Sequence, residues 1–326
     1  MATIADIARL ASVAKSTVSR YLNGGSVGKD TARKIERVIQ ETGYAPNKFA
    51  QSLKAKRTAM IGTVIPRLDS FATTQTLIGI DQQLRELDYQ LFVSNTSQDV
   101  ERELENIHVL AKQKVDGIIL IATVVTEKHV DVLNDIQVPV LLVGQEHTQF
   151  HSFTHDDYHA AYDMGKYVCR MGHTRIAYLG VTEDDIAVGV MRKKGFKQAL
   201  SEVEGVEARY FETSFKSLEA VPVTMDILES YQPSIFVCAT DNIALGVLKA
   251  SHKKGLRVPK DVSITGFGGY EVTDLIHPGI TTAKFFYREA GEMAAKQMVN
   301  LVNGQEVPRR MRSAYELIEK ESVDKR

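Results

Sequence analysis

The stretch KSTVSRYLN, Lys15 to Asn23, decides how the front of the chain is read. It follows IADIARLASVA at 4–14. In that preceding segment Ile4, Ile7, Ala8 and Ala11 share one helical face, with Thr3 as N-cap and Asp6 as the acid three residues on. Ser12 to Ala14 form a tight turn. In the quoted stretch Val18 and Leu22 are four apart and point inward, which leaves Lys15, Ser16, Ser19 and Arg20 on the opposite side. Asn23-Gly24-Gly25 stop that helix. A third helix opens at Lys29 or Asp30, places Ala32, Ile35, Val38 and Ile39 at helical spacing, and ends at Gly43. A helix, a short turn and a second helix make a helix-turn-helix reader, whose second helix lies in the major groove of double-stranded DNA. Lys15, Ser16, Thr17, Ser19 and Arg20 are the side chains it would present. Lys and Arg match guanine acceptors, while Ser and Thr suit phosphates or base edges.

The charge distribution agrees. Residues 1–58 hold eleven Lys/Arg against four Asp/Glu, and the remainder is acidic, so the net charge of −1 conceals a basic head on an acidic body. Such a head suits a polyanion. The 326 residues exceed one ordinary domain, and 44% hydrophobic with 25% charged residues is a globular composition. No apolar run approaches the roughly 18 residues of a membrane span. MATIADIARL lacks the apolar core of a secretory leader. Cys169 and Cys238 form no metal or disulfide pattern. These features predict a cytoplasmic location, no membrane partner and no cofactor.

From Met60 the texture changes to short apolar strands alternating with amphipathic helices: MIGTVIP, YQLFVSN, VDGIILIA and VPVLLVG, then RIAYLGV, ARYFETS, SIFVCATD and DVSITGF. The expected fold is therefore a small all-α helix-turn-helix head plus an α/β body of two doubly wound parallel-sheet subdomains, split near Asp156 and facing each other across a cleft. Ligands of such sheets bind at the carboxyl ends of the strands.

TIADIARLASVAKSTVSRYLNG, followed by VGKDTARKIERVIQETGYAPNKFAQSLKAKRT, resembles the lactose/galactose repressor family of bacterial transcription regulators, and the alternation of the body extends the resemblance over nearly the whole chain. Ala14 and Tyr21 depart from it, standing where Ser or Gly and Val are usual. The resemblance implies a helix-turn-helix domain at 1–46, a hinge helix at 47–58 and a periplasmic-binding-protein-like effector and dimerisation domain at 59–326, with subdomains of about 59–157 plus 288–316 and 158–287 plus 317–326. It implies Lys15, Ser16 and Arg20 as base readers. Thr3, Thr17, Ser19 and Asn23 become phosphate contacts. Leu53 becomes a minor-groove wedge flanked by Asn47, Ala50 and Ser52. The implied partners are palindromic operator DNA, a second copy of the chain, and a small sugar or sugar phosphate held by Arg67, Phe71, Gln145, Asp157, Arg192, Thr240, Asp241 and Tyr287. Arg192 in RKKGF would grip hydroxyls or a carboxylate, and Asp241 has the structural alternative of capping the next helix.

RLDS at 67–70 is similar to trehalose operon repressors, and the wider texture to sucrose operon repressors. Gly268 stands where the family often has an acid, which implies one sugar-hydroxyl acceptor lost and room gained. His147, His151, His155 and His159 recur every four residues but fall in strand and loop, so no metal is expected. Nothing assembles a nucleophile with a base, and no enzyme is expected. Whether ligand releases or tightens DNA binding stays open at this point, as does a sugar-binding protein that does not bind DNA.

Overall fold

The computed structural model describes residues 2–22, 25–44 and 57–326. Asn23 and the hinge residues Asn47, Ala50, Ser52 and Leu53 lie outside the described residues. The chain forms two compact units, residues 1–58 and 59–326.

The first unit holds α1 (Ile4–Leu10), α2 (Lys15–Leu22) and α3 (Lys29–Thr42). Thr3 and Asp6 close a capping box that satisfies the first free amides of α1. Gly43, at φ 62°, ends α3 in the left-handed conformation and donates its N–H to Ile39 O. Ile7, Ala8, Ala11, Val18, Ile35 and Val38 form the core, and Tyr21 and Leu22 pack against it. Tyr21 is thus a partly buried core aromatic.

The second unit contains two sheets. The first lobe is built on β1 (Met60–Ile65), β2 (Gln90–Asn95), β3 (Gly117–Ile121), β4 (Val140–Val143) and β5 (His151–His155), with α4 (Phe71–Glu86), α5 (Val100–Lys112) and α6 (Glu127–Asp135) between strands. The chain then crosses into α7 (Asp157–Arg170), β6 (Arg175–Gly180), a π-helical turn (Ile186–Met191) running into α8 (Arg192–Ser201), β7 (Glu207–Glu212), α9 (Ser217–Ser230), β8 (Ile235–Cys238), α10 (Asp241–Lys253), β9 (Ser263–Gly268), the short α11 (Val272–Leu275) and β10 (Thr281–Phe285). It returns through α12 (Tyr287–Val302) and β11 (Arg310–Ser313), and crosses again to β12 (Tyr315–Ile318). Strand order is β11-β5-β4-β3-β1-β2 in one sheet and β12-β10-β9-β8-β6-β7 in the other. Every pairing is parallel except β10 with β12.

Both sheets therefore reverse direction beside their first strand, between β1 and β3 and between β6 and β8. Those switch points are where an open α/β sheet leaves a crevice. Two features differ from the subdivision expected above. Tyr287 begins α12, which packs on α4 of the first lobe: a Cβ on Gly291 would lie 2.1 Å from Thr76 O, and one on Gly79 2.0 Å from Arg288 O. Residues 315–316 belong to β12 and pair with β10 of the second lobe. Three crossovers thus join the lobes, at 155–157, 285–287 and 313–315.

Candidate functional site

In the head, α2 turns Val18 into the core and leaves Lys15, Ser16 and Arg20 exposed, with Thr17 and Ser19 half-buried beside them. The stem of Arg20 lies against Gly25, where a Cβ would approach its Cγ to 2.6 Å, and Gly25 N–H donates to Arg20 O at 2.8 Å. The exposed helix face is cationic and hydroxylated, without an acid among its described residues. Thr3 is exposed, and its hydroxyl donates to Asp6 at 2.7 Å as part of the cap.

In the body, a cavity of about 130 Å³ lies between the lobes at the two switch points. Of the eight effector residues expected from sequence, Arg67, Gln145, Asp157, Arg192, Thr240 and Tyr287 line it. Arg67 follows β1 and Gln145 follows β4, while Thr240 caps α10 after β8. Arg192 is buried. Its Nε donates to Asp157 Oδ1 at 2.8 Å and its Nη1 to Ala239 O at 2.6 Å, and its guanidinium lies over the rings of Phe285 and Phe267. Burial works against its charge, but Asp157 holds its pKa above the usual arginine range. The planar head is thus held in place by protein groups alone, a form of preorganisation.

Phe71 and Asp241 stand apart from the cavity lining. Phe71 reaches across the cleft and stacks on Tyr270 with ring centroids 4.2 Å apart. Asp241 is fully buried behind the wall, where its carboxylate accepts from Tyr270 N–H at 2.8 Å and Thr282 Oγ1 at 2.6 Å. It ties the β9–α11 and β10 segments to the start of α10, so the expected ligand contact is corrected to a structural tether. Burial pushes its pKa up to about 6. The expectation of extra room at Gly268 is also corrected. Gly268 has φ 139°, and a Cβ there would sit 2.3 Å from Cε1 of Tyr270. The glycine makes way for Tyr270, whose ring lines the cavity.

Tyr270, Asp185, Gln98 and Phe215, which the residue pattern had not singled out, and His155, which it had weighed only as a metal ligand, all line the same space. Gln98 takes a left-handed backbone, φ 64°, after β2. His155 ends β5 at the first crossover. Its Nδ1 shares a hydrogen bond with Ser313 Oγ at 2.6 Å, and its ring lies 5.0 Å from that of Tyr287 and 5.4 Å from that of Phe285. It therefore touches all three crossovers. Burial pushes its pKa down to about 4. Arg67 lies over the Phe215 ring at 4.4 Å, a second contact between lobes.

Comparison with known proteins matches residues 3–47 to bacterial regulatory proteins of the lacI family and residues 166–323 to a periplasmic binding protein-like domain. The sucrose operon repressor of Staphylococcus xylosus is 40% identical over 314 residues, covering 95% of this chain and 97% of that protein. This chain belongs to the lacI family. Another relative, catabolite control protein A of Priestia megaterium, is 32% identical over 94% of each chain. A crystal structure of the lac repressor dimer bound to operator and an anti-inducer superposes with a TM-score of 0.92 at 26% identity, over 99% of both chains.

Proposed function

We propose that this chain is a sequence-specific repressor of a sugar-utilisation operon. It binds a palindromic operator as a homodimer in the cytoplasm, and a sugar in the interlobe cavity releases it. Lys15, Ser16 and Arg20 read bases. Thr17 and Ser19 contact phosphates, with Thr3 at the start of α1. One observation carries the reading: α2 exposes a cationic, hydroxylated face in a chain whose 40%-identical relative is a sucrose operon repressor. The chemistry of the cavity supports the ligand class. Fixed carboxylate, guanidinium and amide groups beside the rings of Tyr270, Tyr287 and Phe215 suit the hydroxyls and apolar faces of a sugar. No helix among the described residues is long and apolar enough to cross a membrane.

Release follows from linkage. A sugar that binds the DNA-incompetent conformation more tightly lowers operator affinity by the same factor by which operator lowers sugar affinity. The test selects palindromic duplexes from a random pool with the full chain, then titrates sucrose, fructose and glucose into the complex while anisotropy is read. Salt-sensitive specific binding that one of these sugars weakens is expected. Binding that never exceeds that to random DNA overturns the repressor reading, and binding that sugar strengthens reverses the sign of control.

A further inference from the structure

The charges on the cavity wall narrow the ligand class. Four ionisable side chains other than tyrosine and histidine face the space: Arg67, Arg192, Asp157 and Asp185. Arg192 is already committed to Asp157 and Ala239 O, and turning it toward a ligand anion would leave Asp157 buried without its partner. Arg67 is the remaining cation, stacked on Phe215 with Asp69 3.9 Å away. The two cations and two acids balance before any ligand arrives, so a phosphate dianion would add uncompensated negative charge to a partly buried site.

Asp157 is paired with Arg192, whereas Asp185 is the cavity acid that forms no ion pair with any described residue. It opens the π-helical turn, where one carboxylate oxygen, Oδ1, accepts Val188 N–H at 2.9 Å. The other oxygen takes no hydrogen bond from any described residue. The neighbouring Ile186 N–H donates to Thr123 O of the opposite lobe at 3.2 Å, which holds Asp185 at the seam. π-Turns recur where a helix must aim a functional group. Gly189 permits this one, because a Cβ there would lie 2.0 Å from Thr182 O. In the same lobe, at the end of β9, Gly268 stands where the family often has an acid, and Tyr270 is folded over it.

We propose that Asp185 is the hydroxyl-accepting acid of this cavity, and that the ligand it selects is an uncharged sugar and not a sugar phosphate. Asp185 and Arg67 together present an acceptor and a donor, as two neighbouring hydroxyls require. Burial pushes the Asp185 pKa upward, and a hydroxyl donated to its second oxygen offsets that loss of solvation.

This inference rests on the sugar reading above, and calorimetry on the full chain separates the two. Sucrose and sucrose 6-phosphate are titrated into the native protein, Asp185→Asn and Asp185→Ala. Native protein should bind sucrose at least about tenfold more tightly than its phosphate. Asp185→Asn keeps an oxygen for Val188 N–H, and should lose about tenfold in sucrose affinity while gaining affinity for the phosphate. Asp185→Ala should lose at least as much for sucrose. Tighter binding of the phosphate by native protein, or unchanged sucrose affinity in Asp185→Asn, overturns the inference and leaves the sugar reading standing. If folded native protein binds neither compound, nor fructose nor glucose, the sugar reading fails and the inference falls with it.

Discussion

Phe71 and Tyr270 come from opposite lobes and meet at the cleft, their rings inclined by 34° with centroids 4.2 Å apart. Phe71 is the first residue of α4, and Tyr270 follows the Gly268-Gly269 pair after β9. The stack joins the two lobes across the cleft. An aromatic pair contributes about 0.5–1.5 kcal/mol beyond its buried area. Phe71→Ala should therefore shift the body toward an open cleft and weaken sugar binding by roughly two- to tenfold. Calorimetry measures the affinity. An unchanged value would mean that the stack does not contribute to closure.

Arg192 and Asp157 are mutually dependent. Both are buried, and each leaves an uncompensated charge if the other is removed. Arg192→Ala or Asp157→Ala should cost about 3–5 kcal/mol of stability. The double variant should cost less than the sum of the two, because no lone charge remains. Urea unfolding of the four proteins closes the cycle. Additive losses would show that the pair is not coupled.

Much of this architecture was legible in the residues. The head announces itself through Val18 and Leu22 facing one way and Lys15, Ser16 and Arg20 the other, with glycines at the stops. The body does so through buried apolar strands such as MIGTVI, closed on both faces by helices. What escaped notice has physical causes. RMRS and YELI at 310–313 and 315–318 are half-exposed outer strands, so no apolar run marks them. Asp241 sits at a strand's carboxyl end, where a ligand acid would also sit. Only the Tyr270 amide and the Thr282 hydroxyl, about thirty and forty residues away, reveal its task. Asp185 was hidden because IAVGVM gives no signature that distinguishes a π-turn from an ordinary helix.

Acid should loosen the body through half-buried His155 and buried His173. Burial lowers the pKa of His155 and of His173 from 6.5 to about 4 in the fold. Between those values the unfolded chain binds protons that the folded chain does not. Stability is therefore fully present above about pH 6.5 and is lost as pH falls toward 4. His155 alone accounts for about 3 kcal/mol over that window. His173, held between Ser234 Oγ and Asp324 O, adds in the same direction. Urea midpoints measured from pH 7.5 to 4.5 should fall, and a smaller fall is expected in His155→Gln. A flat profile would contradict burial of neutral imidazoles.

Gly268 should not tolerate restoration of an acid. Its φ of 139° lies in a region that L side chains rarely adopt, and a Cβ would meet the ring of Tyr270. Gly268→Asp should therefore destabilise the body by about 1–3 kcal/mol and weaken sugar binding by displacing Tyr270. Thermal unfolding and calorimetry test this. Tighter sugar binding with unchanged stability would mean that the loop can rebuild an acid-bearing site.

Base reading and charge neutralisation in the head separate by their salt dependence. Arg20 and Lys15 are both exposed on α2, with Val18 holding the helix from behind. A bidentate arginine–guanine contact discriminates among bases by about 1–3 kcal/mol, while a phosphate contact carries no sequence information and releases about one counterion. Arg20→Ala should thus lower affinity for the selected operator by about 1–3 kcal/mol and relax base choice at one position in each half-site. Ser19→Ala, a neutral change at a position proposed to contact phosphate, should weaken all duplexes alike and leave the salt slope unchanged. Anisotropy titrations on operator, single-base variants and random duplex, repeated across salt concentrations, resolve the two behaviours. Equal losses on operator and random DNA in Arg20→Ala would remove Arg20 from the base-reading set and leave it a phosphate contact.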